Sequence, residues 1–329
     1  MYFYSSNEGV QGCPKGDVGN PGNQQFEWLE DQLATFRSRQ MQVWVMGHVP
    51  PKNDHYYSQC YVKYAELSLR FQDTILGHLY GHLNTDHFYF ITGEDLRGVE
   101  PNNYGSSLYD TLVAEFATLP DPEEEIDYDD YAVINVNPSV VPNPYVPAFR
   151  AYAYNTTGLT GALVMDVGHR TNMLWGYEAP HRHGNSGNRH TRDLEITWRT
   201  NVPPSKRNSL WTPLGYAQYW MPKLEEYNGK HEPEYELEYL TFLLSRLHSG
   251  MEHQVAGRAS DPQPLIPLEN LPGVLQDSTV RKSKYAPYGM LDLTIGSWVE
   301  LGWRIGQKRE DQLRKRFRKY LYVGGKETY

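Results

Sequence analysis

Apolar and polar positions in the N-terminal part of the chain change period several times between the spacing of a helix and that of a strand. A helical pattern begins after Asn23, the expected N-cap, and places apolar side chains on one face: Phe26, Leu29, Leu33 and Phe36. The aromatic opening MYFYSS predicts a strand, although a chain rarely begins with one.

Further along, a second helical pattern spans residues 61–71. Short apolar runs predict buried strands at residues 42–46, 75–80 and 88–91. Strands and helices that alternate in this way are typical of an α/β fold, with loops projecting from one edge of a sheet.

Beyond residue 95 the pattern changes. Residues 96–130 include seven acidic side chains between positions 121 and 130 and are interpreted as an acidic, solvated linker. Three further strands are predicted at residues 131–139, 149–155 and 235–242. We therefore divide the chain into residues 1–95, 96–130 and 131–329, the last being a C-terminal α+β extension.

The chain ends in a helical pattern with an apolar stripe and many positive charges. The stripe consists of Trp298, Leu301, Ile305, Leu313 and Phe317, and eight basic residues occupy positions 304–319. Arg314, Lys315 and Arg318 are candidate contacts for an anionic substrate, because Lys and Arg form charge-assisted hydrogen bonds with phosphate. A solvated helix face explains the same charges at least as well.

Composition narrows the classes of function. The net charge of −9 argues against a surface built to attract nucleic acid, so an anionic partner must bind at a local basic site. Residues 181–193 are either a polar loop or a second candidate contact for an anionic substrate. No apolar run approaches the ~18 residues needed to span a bilayer. Cys13 and Cys60 either pair in an oxidising compartment or remain free thiols, and Asn155 lies in a glycosylation sequon.

Histidines are concentrated early in the chain, where five of the twelve lie between positions 48 and 87. His48 and His82 each follow a glycine at the predicted exit of a strand, where open α/β sheets place ligand-binding loops. Glycine permits a close approach of the backbone, and neutral imidazole is a favoured ligand of transition metals. These two histidines are therefore candidate metal ligands.

Each of these residues also has a simpler interpretation. His48 and His82 are otherwise hydrogen-bonded loop histidines, whereas His78 lies inside an apolar run and fits a position in the sheet. His55 and His87 stay undecided. Asn84 and Asp86 have two interpretations. They are ordinary loop residues, or they act near His82 as oxygen ligands or as residues that orient a ligand. Spacing does not decide between the two.

Two imidazoles make only half of a two-metal hydrolytic site, which usually needs carboxylates as well. The two-metal motifs D-x-H, G-D and G-N-H-[DE] do not precede GHVPP, residues 47–51; Gly16-Asp17 lies in a turn-rich loop instead.

Three stretches resemble a known family: NPGNQQFEWLEDQL, QVWVMGHVPP and CYVKYAELSLRFQDTILGHLYGHLNTDHF. They are similar to the later half of a calcineurin-like metallophosphoesterase domain, in the form found in the fungal vacuolar endopolyphosphatases, which are relatives of acid sphingomyelinase. The resemblance is dense over residues 21–91 and looser through the rest of the chain to its basic end. It implies the later half of a β-sandwich flanked by helices.

The resemblance also implies specific ligands and a substrate. His48 would match the family's GHVPP ligand and His82 the ligand of the next Gly-His, on one divalent metal ion of a pair. Relatives of the sphingomyelinase type have G-H-x-H here, whereas this chain has Asn84 at the last position, a weaker oxygen ligand. The G-H-x-N form is similar to that of endopolyphosphatases. The implied reaction is hydrolysis of phosphoanhydride bonds inside inorganic polyphosphate.

The same resemblance implies a Cys13–Cys60 disulfide and a location on the lumenal side of the vacuole membrane, with a membrane anchor upstream that this chain lacks. A homo-oligomer is compatible with it. Since the first-half ligands are missing, residues 1–329 alone are expected to bind metal weakly and to hydrolyse little. The alternatives are a sphingomyelinase-like phosphodiesterase and a non-catalytic fragment that binds polyanions.

Overall fold

The computed structural model describes residues 2–97, 107–142, 144–156, 205–227, 229–230, 232–248 and 265–324. The helices of this part are α1 (Pro21–Ser38), α2 (Ser58–Arg70), α3 (Leu108–Phe116), α4 (Gly273–Gln276), α5 (Ile295–Gly306) and α6 (Asp311–Leu321). Its strands are β1 (Val43–Met46), β2 (Ile75–Tyr80), β3 (His87–Thr92), β4 (Tyr131–Val136), β5 (Ala148–Tyr154), β6 (Pro213–Trp220) and β7 (Glu236–Leu240).

The first sheet has four strands in the order β1-β2-β4-β3. β1, β2 and β4 run parallel, and β3 lies antiparallel to β4 at the edge. Helices α1 and α2 connect or precede the parallel strands, with Phe26, Leu33 and Tyr64 buried. The predicted α/β class and the positions of the three early strands are confirmed. β1 is not buried as predicted, since its first three residues are half-buried and Met46 is exposed.

The second sheet is antiparallel, in the order β5-β6-β7. Two of its strands were predicted, but β6 was missed. β6 has buried polar and aromatic side chains, such as Gln218 and Tyr216, in place of a simple apolar run.

Two predictions near the N-terminus were wrong. The side chain of Asn20, not Asn23, caps α1, since its Oδ1 accepts from the backbone N–H groups of Gly22 and Asn23 at 2.8 and 3.2 Å. Pro21 then fills the first turn, where its missing N–H is harmless. The opening MYFYSS is not a strand in the described part: Tyr4 forms only an isolated bridge with Tyr56.

The segment interpreted as an acidic linker contains a buried helix. Leu112 and Phe116 of α3 are fully buried, and α3 packs against α5 so closely that a Cβ at Gly306 would lie 2.5 Å from the carbonyl oxygen of Phe116. The acidic residues 121–130 follow this helix. The division at residues 95 and 130 stays a prediction, although β4, beyond residue 130, completes the sheet begun before residue 95.

The C-terminal pattern forms two helices, because the stripe is interrupted at residues 307–310. All five predicted stripe residues are buried. None of the helices in the described ranges is long and apolar enough to cross a membrane. In the structure, Cys13 and Cys60 form a disulfide that joins the turn before α1 to α2.

A buried ion pair connects the two sheets. Arg150 of β5 forms a salt bridge with Asp86, which immediately precedes β3, and both side chains are at most 5% exposed. Gln218 donates from its amide to Asp86 at 2.7 Å and to Glu238 at 2.8 Å. The hydroxyl of Tyr239 donates to Asp86 at 2.6 Å. We call Asp86, Arg150, Gln218, Glu238 and Tyr239 the inter-sheet network.

Replacement of Arg150 by Met should destabilise the protein by about 3–5 kcal/mol, because it leaves the Asp86 carboxylate buried without its cation. Urea denaturation measures the loss. The exposed Arg281→Met control should change stability by no more than about 0.5 kcal/mol. An Asp86→Asn/Arg150→Met double variant should recover part of the loss, and equal losses for Arg150→Met and the control would contradict this assignment.

Stability should also depend on Glu238. The pKa of this carboxyl is raised to about 8 from its ordinary value of 4.5, and burial is the main cause. Gln218, Lys319 and Arg150 lower the pKa and Asp86 raises it, and the value of about 8 includes these effects. The folded state therefore holds a proton that the unfolded chain releases above pH 4.5. This contribution to stability is complete below pH 4.5 and should fall by up to about 1.4 kcal/mol per pH unit between pH 4.5 and 8.

Glu238→Gln should remove that dependence and be more stable than the wild type at pH 8, with a much smaller difference at pH 5. Urea denaturation at both pH values compares the two proteins. The same pH dependence in the variant and in the wild type would rule out Glu238 as its source.

Candidate functional site

The two Gly-His pairs meet at one edge of the first sheet. β1 and β2 are parallel neighbours, with Met46 opposite Leu79, so the loops that follow the two strands leave the sheet at the same edge. The backbone N–H of Gly81 donates to the carbonyl of His48 at 3.0 Å. A Cβ at Gly47 would lie 2.4 Å from the ring of Tyr80, which explains why glycine precedes His48.

The imidazoles of His48 and His82 are in contact. Nδ1 of His82 lies 3.4 Å from Nε2 of His48, and the rings meet edge to face with centroids 5.2 Å apart. His48 is exposed and His82 half-buried. Burial lowers the pKa of His82 below its ordinary value of 6.5, and the neighbouring imidazoles of His48 and His55 lower it further. A neutral imidazole at this position keeps a nitrogen lone pair for a metal.

Two more rings surround His82. Tyr4 and His55 both meet its ring edge-on, with centroid distances of 5.4 and 5.9 Å. Backbone hydrogen bonds tie the segments that contain these two residues together, since the N–H of Ser5 donates to the carbonyl of His55 at 2.8 Å. His82 is therefore enclosed by three rings from separate parts of the chain, which limits its rotamers.

The turn after β2 has an uncommon backbone. His82 and Asn84 have φ values of 70° and 57°, in the left-handed region that residues other than glycine seldom occupy. Such conformations persist only where the surroundings impose them. Asn84 lies in this turn beside His82, but its function as an oxygen ligand stays a prediction.

The other candidates of the histidine-rich stretch belong to the core. His78 is buried and its Nδ1 lies 2.7 Å from the hydroxyl of Tyr64; burial lowers its pKa to about 3. His87 is also buried, and desolvation lowers its pKa well below 6.5. Asp86 is the anion of the inter-sheet network. His78 is thus part of the scaffold, and neither His87 nor Asp86 joins the imidazole pair.

The pair fits two ligands of one metal ion. Two nitrogens bound to a single tetrahedral zinc ion at about 2.0–2.1 Å lie about 3.4 Å from each other. The observed separation of 3.4 Å also suits a weak hydrogen bond between the rings in the absence of metal. Within the described ranges, no three or more His, Cys, Asp or Glu side chains form a group that could hold a metal ion. The pair therefore needs further ligands.

Comparison with known proteins identifies the relatives. No protein-family profile matches the chain. An endopolyphosphatase of Cryptococcus neoformans is 31% identical over 92% of this chain and 58% of its own length. The chain is a relative of the fungal endopolyphosphatases. Those of Schizosaccharomyces pombe and Yarrowia lipolytica are 34% and 29% identical over 50% and 48% of this chain. The resemblance to fungal endopolyphosphatases found in the sequence is confirmed.

The chain spans only part of these relatives. The matched region is 58% of the length of the Cryptococcus endopolyphosphatase, 30% of that of Schizosaccharomyces and 25% of that of Yarrowia. Much of each endopolyphosphatase therefore has no counterpart in the residues described above.

The basic residues of α6 lie on the same helix as its buried apolar face. Lys315 is exposed and forms an ion pair with Asp311 at 2.6 Å, and the guanidinium of Arg318 lies 5.1 Å from the centroid of the Tyr109 ring. Arg314 is half-buried. This placement is compatible with a solvated face, and substrate binding by these three residues stays a prediction. The candidate loop at residues 181–193 lies outside the described residues.

The glycosylation candidate Asn155 ends the region around β5. Its side-chain amide, the atom that would bear a glycan, donates to the side-chain oxygen of Asn208 at 2.7 Å. Glycosylation stays a prediction.

Sequence reasoning missed Tyr4 as a neighbour of the site and left His55 undecided. Both reach His82 through tertiary contacts, and periodicity gives no signal for such contacts. The clustering of His55 with the two Gly-His pairs was the one available indication.

Proposed function

We propose that this chain forms the later part of a metal-dependent endopolyphosphatase that hydrolyses phosphoanhydride bonds within inorganic polyphosphate. The observation that supports it most is the imidazole pair at the exits of two parallel strands, in a chain similar over 92% of its length to a protein named endopolyphosphatase. The calcineurin-like β-sandwich belongs to the same proposal.

His48 and His82 would hold one divalent metal ion, with Asn84 as a possible weak oxygen ligand and a second ion in the complete site. When bound, such ions polarise phosphoryl oxygens as Lewis acids and lower the pKa of water. The remaining ligands would come from parts of the protein homologous to the unmatched regions of its relatives.

The contribution of this chain's own residues is to orient both imidazoles and to favour the neutral form of His82, whose pKa is lowered by burial and by the neighbouring imidazoles. Gly47 and Gly81 let the two loops approach each other, and Tyr4 and His55 restrict the ring of His82. An imidazole that is already neutral and oriented binds a metal without first losing a proton or rotamer freedom.

The proposed location is the one implied by the family that the sequence resembles. We place the protein on the lumenal side of the vacuole membrane, with a glycan at Asn155. The Cys13–Cys60 disulfide supports an oxidising compartment rather than the cytosol.

Metal binding should depend on both histidines. Saturating Zn²⁺ should raise the thermal midpoint of the chain. The free energy of unfolding should increase by about 2.7 kcal/mol when the free metal concentration is a hundred times its Kd. His48→Ala and His82→Ala should each weaken Zn²⁺ binding at least tenfold in calorimetry, whereas His248→Gln, outside the site, should not. Unchanged affinity in both alanine variants would refute the proposed metal site.

Any polyphosphatase activity should depend on the same pair. When the intact protein is incubated with long-chain polyphosphate and a divalent metal, gel electrophoresis should show chains of intermediate length before orthophosphate accumulates. His48→Ala and His82→Ala should abolish this cleavage while the folded fraction, measured by circular dichroism, stays unchanged. Hydrolysis of choline phosphodiesters instead would favour the sphingomyelinase alternative, and binding without turnover in the intact protein would favour the polyanion-binding one.

A further inference from the structure

A cleft adjoins the imidazole pair. It has a volume of about 230 Å³, and its lining includes Lys52, Asp54, His55, Leu83, Thr85 and Leu108. His55 lines this cleft and also contacts the ring of His82, so the cleft and the pair share a wall. A chain-like substrate held at His82 could therefore continue directly into the cleft.

The cleft has a cation, Lys52, that forms no salt bridge among the described residues. Burial raises the pKa of the neighbouring Glu115 carboxyl, and the charge of Lys52 offsets part of that rise. Lys52 is half-buried, and its ammonium lies 4.8 Å from the centroid of the Tyr89 ring. A turn in which the N–H of His55 donates to the carbonyl of Lys52 at 3.0 Å holds the two side chains near each other. An ammonium without a salt bridge in a concave site attracts anions more strongly than a salt-bridged one on an open surface.

Other groups in the cleft suit a small polar ligand. Nδ1 of His55 is buried and has no hydrogen-bond partner, which is uncommon for a buried polar atom. Thr85 contributes a hydroxyl, although that hydroxyl already contacts His87 at 3.2 Å. The apolar walls of Leu83 and Leu108 exclude water and so strengthen the attraction of Lys52.

The size of the cleft also selects its ligand. Pockets for drug-sized organic ligands measure roughly 300–1,000 Å³, so about 230 Å³ suits a short run of inorganic phosphoryl groups better. Asp54 at the rim opposes an anion, but it is exposed, so water screens its charge.

We propose that this cleft is a binding subsite for the phosphoryl groups next to the one being cleaved, with Lys52 as its cation. The subsite rests on the proposed function, since it names where the substrate chain runs. It also replaces the basic face of α6 as the main contact for polyphosphate.

Tripolyphosphate binding to the metal-free chain tests the subsite. Lys52→Met should weaken binding about tenfold in calorimetry, because a hydrogen bond with a charged group is lost. Lys52→Arg should restore most of the affinity. Asp54→Asn should strengthen binding two- to threefold, because a repulsive charge is removed. Binding to Lys52→Met should depend less on salt, an effect that a purely structural change would not produce.

Matched controls separate this subsite from the other cations. Lys284 also lies over a tyrosine, 4.9 Å from the centroid of the Tyr285 ring, but outside the cleft, so Lys284→Met should bind normally. Lys315→Met on α6 should change the affinity less than twofold. A tenfold loss with Lys315→Met and none with Lys52→Met would overturn the subsite, as would unchanged affinity in both Lys52→Met and Asp54→Asn.

The two proposals fail in different experiments. Loss of Zn²⁺ binding in His48→Ala with normal tripolyphosphate binding in Lys52→Met would overturn the subsite and leave the proposed function intact. Normal Zn²⁺ binding in both histidine variants with weakened tripolyphosphate binding in Lys52→Met would overturn the metal site and leave an anion subsite.

Discussion

The buried ion pair between Asp86 and Arg150 is the interaction on which the other features of the structure depend. It connects the end of the site loop to the second sheet, and the backbone N–H of Asp86 also donates to the carbonyl of Leu321 in α6 at 2.9 Å. A buried pair of this kind contributes little net stability compared with apolar side chains. Its effect is to fix the arrangement of the elements, since each charge must meet the other.

This constraint explains how the site tolerates an unfavourable backbone. The turn between Gly81 and Asp86 contains two residues with positive φ, and it is held at one end by β2 and at the other by the ion pair. With both ends fixed, the turn cannot relax without breaking buried polar contacts. The imidazole of His82 is thus directed towards His48 by the fold and not by a flexible loop.

Much of this arrangement could be predicted from the sequence, for identifiable reasons. His48 and His82 follow from the rule that loops after parallel strands share one edge of a sheet, and the early strands follow from short apolar runs. Long-range contacts gave no such signal. Asp86 looked like a loop residue near a metal, because Arg150 lies 64 positions away. Asn23 has the residue type of a cap, but Asn20 precedes a proline that favours the first helical position and is the cap instead. The acidic stretch that follows α3 obscures that helix.

Charge limits how an acidic chain can bind a polyanion. With a net charge of −9, the protein as a whole repels polyphosphate, so attraction must come from local sites in which positive charge is concentrated. Neutral imidazoles are suited to such a site because they do not neutralise the charge of a bound metal ion. That charge then remains to attract the phosphoryl oxygens. Lys52 differs from Lys315 of α6 in the same respect, since Lys315 forms a salt bridge with Asp311 whereas the ammonium of Lys52 lies over an aromatic ring. The attraction for substrate would therefore come from the metal ion that the imidazole pair would hold, together with one ammonium that forms no salt bridge among the described residues.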